Sequence, residues 1–92
     1  MIRSFGNRRT AAFWSGQRVA AFDGFRERAE RKLVILDSAT TLETLRALPG
    51  NRLEALKGDR KGQHSIRISD QWRVCFRWRE GDAYDVEIVD YH

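Results

Sequence analysis

The run Asp90-Tyr91-His92 sets a carboxylate, a phenol and an imidazole in consecutive positions. An imidazole titrates near neutrality, so His92 can serve as base or acid, with Asp90 as its orienting partner or as an alternative base. Tyr91 can stack on a nucleobase or donate from its hydroxyl. Arg73 offers a rigid fork matched to phosphate oxygens, and Lys57 a mobile point charge. Together these side chains suit proton transfer at a phosphate. The turn Lys57-Gly58-Asp59-Arg60-Lys61-Gly62 interleaves three bases with two glycines that let backbone approach a ligand closely. It is not a P-loop, which needs Gly-x-x-x-x-Gly-Lys-Ser/Thr after a strand, and taken alone it reads as a solvated loop. One cysteine, Cys75, and two histidines, His64 and His92, give no spaced set of zinc ligands, so neither a metal nor a cofactor is expected.

Elements must bring these residues together. From His64 onward the hydrophobic period is two, the mark of a half-buried sheet. Ile66 and Ile68 fall on one face of a first strand, Trp72, Val74, Phe76 and Trp78 on one face of a second, and Val86 and Ile88 continue it on a third. Asp70-Gln71 and Glu80-Gly81-Asp82 supply turns, which predicts an antiparallel meander. If the apolar faces coincide, the other face gathers Ser65, Arg67, Arg73, Cys75, Arg77, Asp85, Glu87 and Tyr91. Arg67 then falls opposite or diagonal to Arg73, and like charges so placed repel. Either an acid such as Glu87 neutralises them or the pair receives an anion. Across the second hairpin Arg73 lies beside Val89 or Tyr91 in both nearest registers, so it shares a corner with residues 90–92. Because that face is polar, replacing Arg73 is expected to spare the fold. His64 falls on the core-facing side and reads as a packed residue.

Upstream, Met1–Phe5 reads as a short extended start, Arg8–Ser15 as a short helix ended by Gly16, and Asp23 as the cap of a longer helix. In that helix Phe25, Ala29, Leu33 and Leu36 recur at helical spacing, a core-facing stripe, and Glu27 to Arg31 is a favourable i,i+4 pair. Ser38–Leu48 suggests one or two helical turns closed by Pro49-Gly50-Asn51. At 92 residues the chain holds one domain, 1–92. No apolar run approaches a membrane span and the start has no signal-peptide core, so a cytoplasmic protein is expected. Charge is uneven: residues 1–35 and 50–79 each carry eight bases against three acids, whereas 80–92 carry five acids and no base. A basic body is the footprint of a polyanion binder, and also of an ordinary soluble surface.

These residues resemble a known family, the HigB-type host-inhibition toxins of the RelE and ParE superfamily. Leu53-Glu54-Ala55-Leu56-Lys57-Gly58-Asp59-Arg60, then Gln71-Trp72-Arg73-Val74-Cys75-Phe76, then Val86-Glu87-Ile88-Val89-Asp90-Tyr91-His92 match its patterns in its order. Met1-Ile2-Arg3-Ser4-Phe5 and the helix with Leu33, Leu36, Asp37 and Ala39 are similar too. The resemblance implies an α+β fold, two N-terminal helices packed on a twisted antiparallel sheet. It also implies an endoribonuclease that cuts messenger RNA in the ribosomal A site. The implied partners are a HigA-like helix-turn-helix antitoxin, the ribosome and mRNA, and operator DNA only through the antitoxin, with no membrane. Lys57, Arg73, Asp90, Tyr91 and His92 would stand at the reacting phosphate, and Arg60, Lys61, Arg67 and Arg77 would contact RNA or ribosome. Some relatives have a histidine at the position of Glu54, so His92 would be the only histidine near the chemistry. Two other readings are a ParE-like gyrase inhibitor, against which the Lys57, Arg73 and Tyr91-His92 set argues, and a non-catalytic RNA-binding module.

Overall fold

Three helices precede a four-stranded sheet in the computed structural model, which describes residues 1–91. Helix α1 (Arg8–Trp14) begins where Asn7, in extended backbone, accepts the Thr10 N–H at 2.9 Å, a side-chain cap. Helix α2 (Arg26–Ser38) buries Ala29, Leu33 and Leu36, the expected stripe, with Phe25 partly buried beside them. Its start differs from expectation. Ala20–Phe25 forms a 3-10 turn that sinks Phe22 into the core, and the Asp23 carboxylate pairs with Arg18 instead of capping α2. The ion pair on the helix surface is Arg26 with Glu30 at 3.9 Å, not Glu27 with Arg31. The ambiguous stretch resolves into α3 (Leu42–Arg46), capped by the Thr41 hydroxyl, followed by a 3-10 turn at Pro49–Asn51.

The sheet runs β1 (Glu54–Ala55), β2 (His64–Arg67), β3 (Trp72–Arg79) and β4 (Asp82–Asp90), neighbours in that order and each pair antiparallel. Helices on an antiparallel sheet bear out the expected α+β class, with α3 and β1 as additions. Glu80 and Gly81 both take positive φ, 49° and 83°, the turn whose twist matches a two-residue hairpin. Beyond β4 the first residues add parallel bridges, Ile2 to Ala83 and Phe5 to Val86.

One irregularity sets which residues of β4 face inward. Cys75 pairs with Glu87 but Arg77 pairs with Tyr84, so β4 carries an extra residue there, and Asp85 takes φ 53°. This bulge switches the inward parity, so Ala83 joins Val86 and Ile88 in the core while Tyr84 does not. The core lies between this face, with Ile66, Ile68, Val74 and Phe76, and Phe13, Phe22, Leu33, Leu36 and Leu45 of the helical layer.

Past Val86 the outer edge of β4 loses the parallel bridges, and the buried Thr10 hydroxyl accepts the Ile88 N–H at 3.0 Å. This bond ties α1 to the strand that leads into residues 90–92. Thr10→Val keeps the shape but strands a buried donor, and should cost about 1–3 kcal/mol in urea denaturation. A loss below about 0.5 kcal/mol would mean that water or a shifted backbone replaces the hydroxyl.

Candidate active site

Strand register sets Arg67 directly opposite Arg73 and Val89 on the other side of Arg73. The like-charged pair is not neutralised by Glu87. Arg67 pairs with Asp70 in the following turn, and Glu87 pairs at 3.2 Å with Arg60 from the turn before β2. Arg73 is held differently. Its Nε donates to Ser65 Oγ at 2.7 Å, its Nη2 donates to the Arg52 carbonyl at 2.6 Å, and Glu54 Oε2 stands 4.0 Å from the same Nη2.

Arg73 is therefore not on an open polar face. It is only 9% exposed, and Ser65 and Cys75 beside it are fully buried. The face is covered by the segment between β1 and β2, where Leu56 is buried outside the main core and Arg60 folds back to Glu87 and Gln63. On the far side of Glu87 lies Gly6, where a Cβ would come within 2.4 Å of Glu87 Cγ. The expectation that replacing Arg73 spares the fold is corrected by this burial, because its loss would strand the Ser65 and Arg52 polar groups. Burial also pushes the Cys75 thiol up from its usual range, an effect to which the Glu87 carboxylate adds and which Arg60 and Arg73 oppose.

The remaining site residues separate into two groups, one at the end of β4 and one in the turn before β2. Tyr91 N–H donates to the Gln71 carbonyl at 2.8 Å, and Gln71 Nε2 donates to Asp90 Oδ2 at 2.9 Å, so the hairpin turn holds both. Strand alternation gives Tyr91 the side of Arg73 and Val89, and gives Asp90, opposite Trp72, the side facing the helices. His92 lies outside the described residues. Lys57 precedes the 3-10 turn Gly58–Arg60. Since Leu56 N–H meets the Gln63 carbonyl and His64 pairs with Phe76, this turn is level with Arg77 rather than Arg73. Among the described residues Lys57 and Lys61 are exposed with no side-chain ion pair or hydrogen bond, whereas Arg77 pairs with Asp85 at 3.5 Å.

Three contributors carry no pattern that the sequence alone makes visible. Glu54 registered only as the place of an absent histidine, yet it is the carboxylate beside Arg73, its side chain 54% exposed. Arg52 contributes a carbonyl, which no side-chain pattern reveals. Asn51 is fully buried behind it. An open groove of about 470 Å³ lies elsewhere, at the start of α2, lined by Arg18, Arg26, Arg28 and Arg31 together with Asp23 and Glu27. It offers cations without a buried, hydrogen-bonded fork, so the chemistry is better sought at Arg73.

A family model described as the RelE-like toxin HigB of type II toxin-antitoxin systems matches residues 15–92. The chain belongs to this family. Among its relatives, the toxin HigB-1 of Vibrio cholerae serotype O1 is 51% identical over 53 residues, 58% of this chain and 56% of that protein. The endoribonuclease HigB of Proteus vulgaris is 38% identical over 66 residues, 72% of this chain and 71% of that one. The chain thus spans little more than half of the Vibrio toxin in that match. A solved YoeB-YefM complex from Staphylococcus aureus contains a chain with a TM-score of 0.59 at 14% identity, covering 100% of this chain and 98% of its own, which shows a shared fold. In this HigB-like chain no helix among the described residues is long and apolar enough to cross a membrane.

His64 stays on the core side, as the alternation implies. Its ring stacks on Phe76 with centroids 6.1 Å apart, and its buried Nδ1 has no hydrogen-bond partner. Burial, with Arg46 nearby, holds its pKa below the usual value. The unfolded chain then takes up the proton more readily, so stability is full above about pH 6.5 and falls as pH drops toward the folded value. Melting temperatures of the HigB-like chain between pH 7.5 and 5 should decline less in His64→Phe. Equal slopes would exclude His64 as the source.

Proposed function

We propose that this HigB-like chain is a ribosome-dependent endoribonuclease that cuts messenger RNA in the A site by attack of the ribose 2′-hydroxyl, arresting translation and growth. The observation that carries the reading is the Arg73 guanidinium, buried and gripped by Ser65 and the Arg52 carbonyl, with the exposed Glu54 carboxylate 4.0 Å away. A base must remove the 2′-hydroxyl proton, cations must stabilise the added charge on phosphorus, and an acid must protonate the leaving 5′-oxygen. A held fork beside an accessible carboxylate supplies the first two.

In this reading Glu54 takes the proton as the 2′-oxygen bonds to phosphorus. Arg73 stabilises the resulting pentacoordinate anion, and the P–O5′ bond breaks as the departing oxygen is protonated. His92 is the proposed acid, with Asp90 as its orienting partner and Tyr91 stacking on a base. Lys57 and Lys61, exposed and unengaged, suit longer-range contact with phosphates, as do Arg67 and Arg77 beyond their exposed acid partners. Arg60, tied to Glu87 and Gln63, serves this surface better as a brace. The proposed partners are a HigA-like helix-turn-helix antitoxin, the ribosome and its messenger RNA, with operator DNA reached through the antitoxin, all in the cytoplasm.

Cut transcripts should carry a 5′-hydroxyl downstream and a cyclic or 3′-phosphate upstream, read by end-labelling after incubation with programmed ribosomes. A 5′-phosphate on the downstream fragment would sink the 2′-hydroxyl mechanism. Glu54→Gln should lower cleavage by about 10²-fold or more with little change in melting temperature, since the side chain is half in solvent. Arg73→Ala should lose roughly 10²-fold as well and also melt earlier. A folded Glu54→Gln variant that cuts at the parent rate would return the base to the 90–92 segment.

A further inference from the structure

Arg73 depends on a carbonyl, and that carbonyl depends on a buried amide. Asn51 has no exposed surface, and burying an amide is costly unless both of its ends are satisfied. Its Nδ2 donates to the Leu45 carbonyl at 3.0 Å, and its Oδ1 accepts Lys32 Nζ at 2.7 Å. Its backbone N–H donates to the Leu48 carbonyl at 2.9 Å. The turn at Pro49–Asn51 is thereby fastened to the end of α3 on one side and to the middle of α2 on the other.

The next residue carries the consequence. Arg52 takes left-handed backbone angles, φ 44° and ψ 56°, a conformation that residues with a Cβ seldom adopt. In that conformation its carbonyl meets Arg73 Nη2 at 2.6 Å. Lys32 is an unusual residue to recruit here. It is half-buried on α2, and burial, with the charges of Arg31 and Arg67 adding to it, lowers its pKa. The amide oxygen of Asn51 is the acceptor that repays its placement.

We propose that Lys32 and Asn51 are positioning residues for Arg73, holding the turn so that the Arg52 carbonyl fixes the guanidinium in the plane that receives the scissile phosphate. This rests on Arg73 being the phosphate-holding group of the proposed ribonuclease. Of the five N–H donors of the guanidinium, Nε and one proton of Nη2 are committed to Ser65 and Arg52. Those two bonds leave the outer end of the fork for the ligand, and a loosened turn would free the fork to rotate.

The test uses Lys32→Met, Lys32→Arg and Asn51→Ala in the full chain. Single-turnover cleavage of ribosome-bound message should fall about tenfold in Lys32→Met at an unchanged half-saturating concentration, the scale of a displaced catalytic group. Lys32→Arg, which keeps a donor for Asn51, should regain most of the rate. Placed on Arg73→Ala, Lys32→Met should cause no further loss, because the residue it positions is gone. The Arg73 Nε–H resonance, slow to exchange in the parent, should broaden in Lys32→Met and return in Lys32→Arg. Asn51→Ala is the harsher version, and should it fail to fold, the Lys32 pair decides. An equal loss on both backgrounds, an effect confined to half-saturation, or an unaltered Arg73 resonance would each overturn the positioning role. Full activity in Arg73→Ala would instead remove the ribonuclease reading of this site, and the resonance would still judge the link to Lys32.

Discussion

A guanidinium cannot be buried unless its hydrogen bonds and its charge are answered, and much of the outer half of this molecule answers for Arg73. Removing such a cation from water costs several kcal/mol even after relaxation, so its partners must be held in place around it. Ser65 supplies a hydroxyl from the neighbouring strand, Arg52 a carbonyl from a left-handed turn, and Glu54 a carboxylate. These are linked through the chain. The same left-handed residue that aims the carbonyl also turns the backbone so that Glu54 and Ala55 pair with Ser65 and His64 as β1. The short strand, the carboxylate and the carbonyl are one solution to a single buried charge.

The rest of the outer face shields that arrangement. Arg60 crosses from the segment after β1 to Glu87 on β4, passing the buried thiol of Cys75, and Gly6 leaves just enough room for the Glu87 side chain. Water is thereby kept from one side of Arg73, where a low dielectric strengthens every contact it makes. The exposed Glu54 marks the side that stays open. The fold thus gives a basic, polar sheet face an interior and an exterior, an asymmetry that function needs and alternation alone does not produce.

That asymmetry explains which parts were legible in the sequence. The apolar stripe of α2 and the hairpins follow from periodicity, which also narrows Arg67 to a place opposite or diagonal to Arg73, and Arg73 to Val89 or Tyr91, because burying one face of a strand admits few alignments. The structure takes Arg67 opposite Arg73 and Arg73 opposite Val89. The bulge at Asp85 does not, since it depends on a local backbone conformation that no pattern of side chains encodes. Neither does β1, whose two residues are too few to show a period. Asp23 misled because an acid before a helical run fits an N-cap and an ion pair equally well, and Arg18 was close enough to take it. At the site, Arg73 could be found from its type and face. Glu54 could not be joined to it without knowing that β1 exists, and the Arg52 carbonyl belongs to the backbone.

The charges of this face also divide by mobility. Four of its arginines have a carboxylate within reach, Arg60 with Glu87, Arg67 with Asp70, Arg77 with Asp85 and Arg73 with Glu54, whereas Arg79 lies over the Tyr84 ring. These acids cancel much of the long-range field that the arginines would project, so attraction of a polyanion falls to the unengaged Lys57 and Lys61 and to the arginines of α2. The pairs are not equal, however. Arg60 and Arg67 are hydrogen-bonded to their acids, and Arg77 lies 3.5 Å from its own, whereas Arg73, the most buried, has the loosest partner at 4.0 Å. A cation drawn out of water but left short of a contact carboxylate gains most from an incoming anion. In the proposed ribonuclease, flexible lysines would gather RNA without regard to geometry, while one immobilised arginine with only a loosely held carboxylate would fix where a phosphate comes to rest.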